Sequence, residues 1–146
     1  MNLPATWLAG RKVRLRPIET DDRTVLRRFG LPVTTAGSAF IIQTREGKDV
    51  GVIGFDMRAA RASIGLRVLP ARWRDGVAAD ALRVMRAGIF KSLPLIRLEA
   101  LVPSNDIPAL LAFRRAGFKR EGVLREVIRV GRQRRDAVVV SAVNAP

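Results

Sequence analysis

Glu99 is the carboxylate in this chain best placed to do chemistry. It lies in the apolar run Ile96-Arg97-Leu98-Glu99-Ala100-Leu101-Val102, where strand alternation sets Arg97, Glu99 and Leu101 on one face. A carboxylate on a central strand is costly to bury unpaired, so Glu99 needs a partner or a purpose. Arg97 or another arginine would make it a structural ion pair; a role in proton transfer would be the alternative. A second group is the charged loop Arg72-Trp73-Arg74-Asp75-Gly76-Val77-Ala78, which opens a helical stretch with Asp75 in reach of an N-cap role. A third is Ser104-Asn105-Asp106, an N-cap cluster before another helix.

The 146 residues contain no Cys, no His and no Tyr. These zeros exclude a disulfide framework, a thiol nucleophile, a thiolate zinc site and a Ser-His-Asp triad. Catalysis would rest on carboxylates, Lys, hydroxyls, backbone dipoles and a cofactor. The net charge is +14, from 27 basic and 13 acidic residues. Arg accounts for 23 of the basic residues, and Arg114 to Arg135 alone holds nine basic residues against two acidic ones. Such an excess favours an anionic partner. Nucleic acid is the lesser reading, because aromatic residues are only 5% and single strands need stacking platforms. No apolar run reaches the length of a membrane span, and the first residues lack a signal-peptide pattern. A cytoplasmic protein that binds no metal and no membrane is the expectation.

The elements that must position these groups are legible as patterns. Lys12 to Ile18 alternates as a strand with Val13 and Leu15 on one face. Thr20-Asp21-Asp22 reads as the cap and acidic first turn of a helix running to Phe29 and stopping at Gly30-Leu31-Pro32. Ala39 to Thr44, Val50 to Met57 and Ala62 to Leu69 read as three antiparallel strands, the first two joined by a turn at Glu46-Gly47-Lys48-Asp49. Pro70 to Asp75 reads as a polar loop. Ala78, Leu82, Met85 and Ile89 then form a helical stripe, with Asp80 and Arg83 off it. Ile96 to Val102 is a fifth strand and Ile107 to Ala116 a helix closed by Gly117. Phe118 to Val130 and Ala137 to Val143 form a terminal hairpin. The chain reads as one α/β domain over 1–146, its sheet mixed and mostly antiparallel, with about seven strands and flanking helices. A ligand belongs where the fourth strand leads into its helix.

In order and spacing, these fragments resemble the GNAT superfamily of acyl-CoA-dependent N-acyltransferases, nearest the branch of the ribosomal-protein N-acetyltransferases. Arg14-Leu15-Arg16-Pro17 with Asp22 is similar to that branch's opening motif. Ile64 to Pro70, Ala78 to Leu82 and Ile96 to Ala100 are similar to its fourth strand, following helix and fifth strand. Arg115-Ala116-Gly117-Phe118-Lys119-Arg120-Glu121-Gly122-Val123-Leu124-Arg125-Glu126 resembles its G-F-x-x-E-G-x-L-R-E signature.

The resemblance implies a GNAT-like fold and acetyl transfer from acetyl-CoA to a primary amine in a ternary complex. The acceptor would be a protein N-terminus, a lysine or a small amine. It implies that the cofactor arm pairs with the strand around Val68 and Leu69. The pyrophosphate would sit on the loop and helix start at Arg72, Arg74, Asp75, Gly76, Val77, Ala78 and Ala79, where backbone N–H groups and the helix dipole favour anions. Asn105 would contact the cofactor arm, though Asp106 competes for that place, and Glu99 would be the general base.

Three departures accompany the likeness. Arg74 stands where the family's loop has its first glycine, a position where positive φ would strain an Arg. Phe113 stands where the family often has a Tyr acid, so it is read as core packing. The region between the first two strands is short, with Leu31 to Ser38 as a brief connection. The alternative reading is a non-catalytic CoA-binding or ribosome- or RNA-associated basic module. A homodimer is left open.

Overall fold

A computed structural model describes residues 8–29 and 39–145. The Gly30-Leu31-Pro32 helix stop and the Leu31–Ser38 connection lie outside the described residues. Eight strands form one sheet: β1 (Leu8–Ala9), β2 (Val13–Pro17), β3 (Ala39–Thr44), β4 (Asp49–Arg58), β5 (Arg61–Val68), β6 (Arg97–Pro103), β7 (Lys119–Val130) and β8 (Gln133–Val143). Their spatial order is β1-β2-β3-β4-β5-β6-β8-β7. Neighbours pair antiparallel except β5 and β6, which pair parallel across the intervening helix. The mixed, mostly antiparallel sheet is thus as expected. Its extra strand is β1, two residues too short to show a period of their own.

Among the described residues, three α-helices flank the sheet: α1 (Arg23–Arg28), α2 (Val77–Ser92) and α3 (Ile107–Arg115). A 3-10 turn at Thr20–Asp22 precedes α1, and it is capped by Glu19 rather than Thr20. The Glu19 carboxylate accepts from the Asp22 backbone while Asp22 Oδ2 accepts the Glu19 N–H at 2.7 Å, a reciprocal capping box. Asp22 also takes a two-pronged ion pair from Arg16, at 2.8 Å to each oxygen, and Arg16 reaches Asp49 at 3.1 Å. The opening motif is therefore a structural clamp that ties β2 to the turn before α1 and to the start of β4. The Arg16 guanidinium holds the Asp22 carboxyl below its ordinary range.

The two faces of the sheet carry separate cores. Val13, Leu15, Phe40, Ile42, Ile53, Phe55, Ile64 and Leu98 meet Ala78, Leu82, Met85, Ile89 and Phe113 of α2 and α3 on one face. Leu26 and Phe29 pack against Ile41 and Val52 on the other. A bulge divides β4 between them. Ile42 pairs with Gly51 but Gln43 pairs with Asp49, leaving Val50 as an extra residue. That extra residue lets Val50 and Ile53 serve the helix face while Val52 serves α1. Gly51 is needed there, since a Cβ would lie 2.5 Å from the Arg67 carbonyl oxygen.

Helix α2 is enclosed more deeply than its stripe suggests: Val77, Ala79, Asp80 and Ala81 are buried as well. Asp80 is thus not a solvated off-stripe residue. Its Oδ2 accepts the backbone N–H of Lys12 at 2.8 Å and of Val13 at 3.1 Å, bonding the β1–β2 turn onto the first turn of α2. Among the described residues no helix is long and apolar enough to cross a membrane.

Candidate active site

The parallel pair β5–β6 is short. Its register runs Arg61↔Arg97, Ala62↔Leu98 and Ser63↔Glu99, and no pairing continues beyond it. Ile64 to Val68 of β5 and Ala100 to Pro103 of β6 therefore part company and open a wedge in the middle of the sheet. One edge of β5 stays paired with β4 along its whole length. The other edge carries backbone groups that no strand among the described residues pairs with. Leu69 donates its N–H to the Val50 oxygen and accepts from Arg72 N–H, at 2.9 and 2.8 Å. In the alternation of an antiparallel ladder, Val68 and Leu66 then turn their N–H and C=O groups toward the wedge. Val68 and Leu66 lie on that edge, while the backbone groups of Leu69 are already engaged.

The wedge leads to the start of α2. Pro70–Asp75, read from sequence as a loop, is a 3-10 helix that ends at Gly76. Gly76 has φ +77° and caps α2, so the left-handed residue falls there and not on Arg74. The strain expected at Arg74 does not arise, because its turn is right-handed. Asp75 is not the N-cap: its carboxylate lies 3.2 Å from Arg72 Nε. Arg74 is exposed and has no partner among the described residues. The first helical backbone bond runs from Asp80 N–H to the Gly76 oxygen, so the N–H groups of Val77, Ala78 and Ala79 precede the ladder.

Lys12 completes this corner. Its Nζ donates to the Asp75 carbonyl oxygen at 2.7 Å, and a Cβ on Gly76 would meet that Nζ at 3.1 Å. An ammonium thus sits over the helix start, anchored through its own backbone to Asp80. Sequence reasoning missed Lys12, because the contact spans more than sixty residues and no local pattern announces it.

Glu99 lies at the apex of the wedge, on the face opposite α2 and α3. Arg97 donates to its Oε2 from Nη2 at 3.1 Å and Nε at 3.3 Å. Among the described residues, its Oε1 has only Arg61 Nη1, at 3.8 Å. The ion-pair reading of Glu99 therefore describes its geometry. Arg97 is in turn gripped by Glu121 through two bonds of 2.7 Å, and Ser141 Oγ donates to Glu121 at 2.5 Å. The Arg97 guanidinium, with help from the Ser141 hydroxyl, holds the Glu121 carboxyl down at about 2. Glu121 comes from the signature that follows α3, so that signature's carboxylate fixes the arginine that fixes Glu99.

At the start of α3, Asp106 is the N-cap and accepts the Ala109 N–H at 3.2 Å. Asn105, beside it, is exposed and makes no side-chain bond within the described residues. At the other end, Gly117 has φ +90°. Phe118 N–H bonds to the Phe113 oxygen and Gly117 N–H to the Arg114 oxygen, at 3.0 Å each, a Schellman closure. Phe113 and Phe118 meet edge to face with centroids 5.1 Å apart. Phe113 is a core residue, as its lack of a hydroxyl implied.

Comparison with known proteins bears on this architecture. The family model described as "Acetyltransferase (GNAT) domain" matches residues 17–119. The chain is 34% identical over 89 residues to the "Uncharacterized N-acetyltransferase YoaA" of Bacillus subtilis, covering 58% of this chain and 50% of that protein. It is 32% identical over 89 residues to the "Uncharacterized N-acetyltransferase p20" of Bacillus licheniformis, covering 59% and 50%. The chain thus spans about half the length of the curated relatives it matches. Among solved structures, Mycobacterium smegmatis RimJ in complex with CoA-disulfide superposes with a TM-score of 0.81 at 22% identity, over 98% of this chain and 90% of that one. A GNAT-family acetyltransferase from Bacillus anthracis superposes at 0.77 and 20% identity, over 94% and 98%. These likenesses show the fold.

Proposed function

The chain belongs to the GNAT acetyltransferase family, and from that premise we propose that it moves an acetyl group from acetyl-CoA to a primary amine. The observation that carries this reading is the wedge at Ser63/Glu99, whose unpaired β5 edge runs straight into the open start of α2. The residues present fit the cosubstrate. Leu66 and Val68 offer backbone groups for an extended arm to pair with. Gly76, Val77, Ala78 and Ala79 offer N–H groups for a pyrophosphate, and Lys12 and Arg74 offer charge beside them. Arg72 neutralises Asp75 rather than leaving a carboxylate against the phosphates. Asn105 is free to bond the arm.

Bound there, acetyl-CoA supplies an activated thioester. Glu99 Oε1, the oxygen not held by Arg97, accepts a proton from the acceptor ammonium. The amine nitrogen then bonds the acetyl carbon, the carbon–sulfur bond breaks, and the thiolate takes up a proton from solvent or from the attacking nitrogen. No tyrosine acid is needed for that balance, and holding both reactants in place supplies much of the rate. The acceptor class is a protein N-terminus, a lysine or a small amine.

Calorimetric titration with CoA and acetyl-CoA, followed by thiol release across small amines and peptides, tests the proposal. Binding of both ligands with amine-dependent thiol release is the expected result. Binding without turnover would replace the enzyme with a CoA-binding module. Absence of binding at millimolar ligand would sink both.

A further inference from the structure

The β7–β8 hairpin outruns the sheet it belongs to. β6 pairs with β8 only from Ala137 to Val143. Residues 125–136 therefore form a two-stranded arm that no third strand among the described residues supports. Two-stranded ribbons are marginal in water on their own. The register also breaks between Leu124 and Ile128, and Glu126 takes a left-handed φ of +53° there, with its N–H on Asp136 at 2.9 Å. Such a bulge twists and bends the arm away from the sheet.

The arm carries Arg125, Arg129, Arg132, Arg134 and Arg135 against Glu126 and Asp136. Glu126 reaches Arg134 only at 3.8 Å, with both side chains exposed. Arg125, Arg129 and Arg132 have no carboxylate partner among the described residues. Arg129 lies directly opposite Arg134 in the ladder. Like charges in that relation oppose pairing. The free protein thus holds an arrangement that works against its own stability, and a dense external anion would reverse the sign.

We infer that this arm docks on the phosphate backbone of a nucleic-acid duplex. Beyond the bulge, Ile128 to Val130 pair with Gln133 to Arg135 over about 10 Å, with the two strands about 5 Å apart. A ribbon of that width enters a duplex groove about 12 Å wide, flanked on both sides by phosphates. Arg suits bidentate phosphate contact better than Lys does. From Lys119 to the end of the described chain there is no aromatic residue, which removes the stacking platform single strands need. The side-chain oxygen of Gln133, the arm's amide, accepts from Arg135 Nη2 at 3.0 Å, and the arm's charge is aimed at the phosphates that position a protein on a duplex. A second copy of the chain would bring the same positive arm and be repelled. The inference stands apart from the acetyl-transfer reading, since none of these arginines lines the wedge.

The test is fluorescence anisotropy with a short labelled DNA duplex of arbitrary sequence, titrated between about 50 and about 200 mM salt. With the arginines engaged, log K should fall against log salt with a slope near −4. The double variant Arg129→Gln/Arg134→Gln should weaken binding about tenfold and flatten the slope by about 2. Its melting temperature should be unchanged or higher, and its CoA titration unchanged. An RNA duplex of the same sequence, whose major groove is deep and narrow, should bind more weakly than the DNA duplex. Unchanged duplex affinity in the variant would overturn the inference. So would poly-glutamate displacing the duplex at equal charge concentration, which would reassign the arm to acidic protein partners. A lower melting temperature with unaltered affinity would make the arginines structural.

Discussion

Glu99 sits between two demands, and the atoms divide them. Oε2 belongs to Arg97, while Oε1 has, among the described residues, a single long contact to Arg61. Glu99→Gln keeps the shape and an acceptor for Arg97 but not the base. It should lower kcat about 100-fold or more in thiol-release assays while leaving the acetyl-CoA titration intact. Glu121 makes a separate prediction from its carboxyl, held near 2 against an ordinary 4.5. A depressed carboxyl stabilises the folded state above its unfolded value and ceases to do so as pH falls through its folded value. Melting temperatures of the native chain and Glu121→Gln should therefore converge as pH drops from about 5 toward about 2. At the other end of the wedge, Lys12→Met should weaken CoA binding several-fold and leave pantetheine binding unchanged, because only CoA carries the phosphates. The Arg97–Glu99 ion pair and the core place of Phe113 were legible from local sequence. Glu121's grip on Arg97 and Lys12's place over Gly76 were not, because each joins residues far apart in the chain and depends on which strands become neighbours.

At the scale of elements, local periodicity carried most of the fold. β3 matches its predicted bounds, and the stripe of Ala78, Leu82, Met85 and Ile89 is buried as a unit. Three features escaped. β1 is held by a turn and by Asp80, not by a pattern of its own. The face switch at Val50 is a bulge, which alternation alone misreads. Asp80 reads as a surface residue until the β1–β2 turn is laid on α2. That last contact gives a stability prediction. Asp80→Ala removes the acceptor for two N–H groups and should cost about 3 kcal/mol in denaturant unfolding. Asp80→Asn keeps an oxygen in place and should retain much of that stability.

For the whole molecule, the charge of +14 acts at a distance. A field of that sign speeds the approach of a polyanion and is screened by salt. On the acetyl-transfer reading, stopped-flow association of acetyl-CoA should slow with ionic strength, while that of uncharged acetyl-pantetheine should not. The same field repels a free basic protein acceptor, which sets acceptors apart by charge before any contact is made. The gap between β5 and β6 has one more consequence. Because Val68 and Glu99 lie at the same opening but serve opposite faces, the sheet is a wall with a slot through it. On the acetyl-transfer reading, the donor would thread from the helix side and the acceptor would wait on the other side. On that same reading, spent CoA would leave through its own door while an acceptor stays docked on the far face.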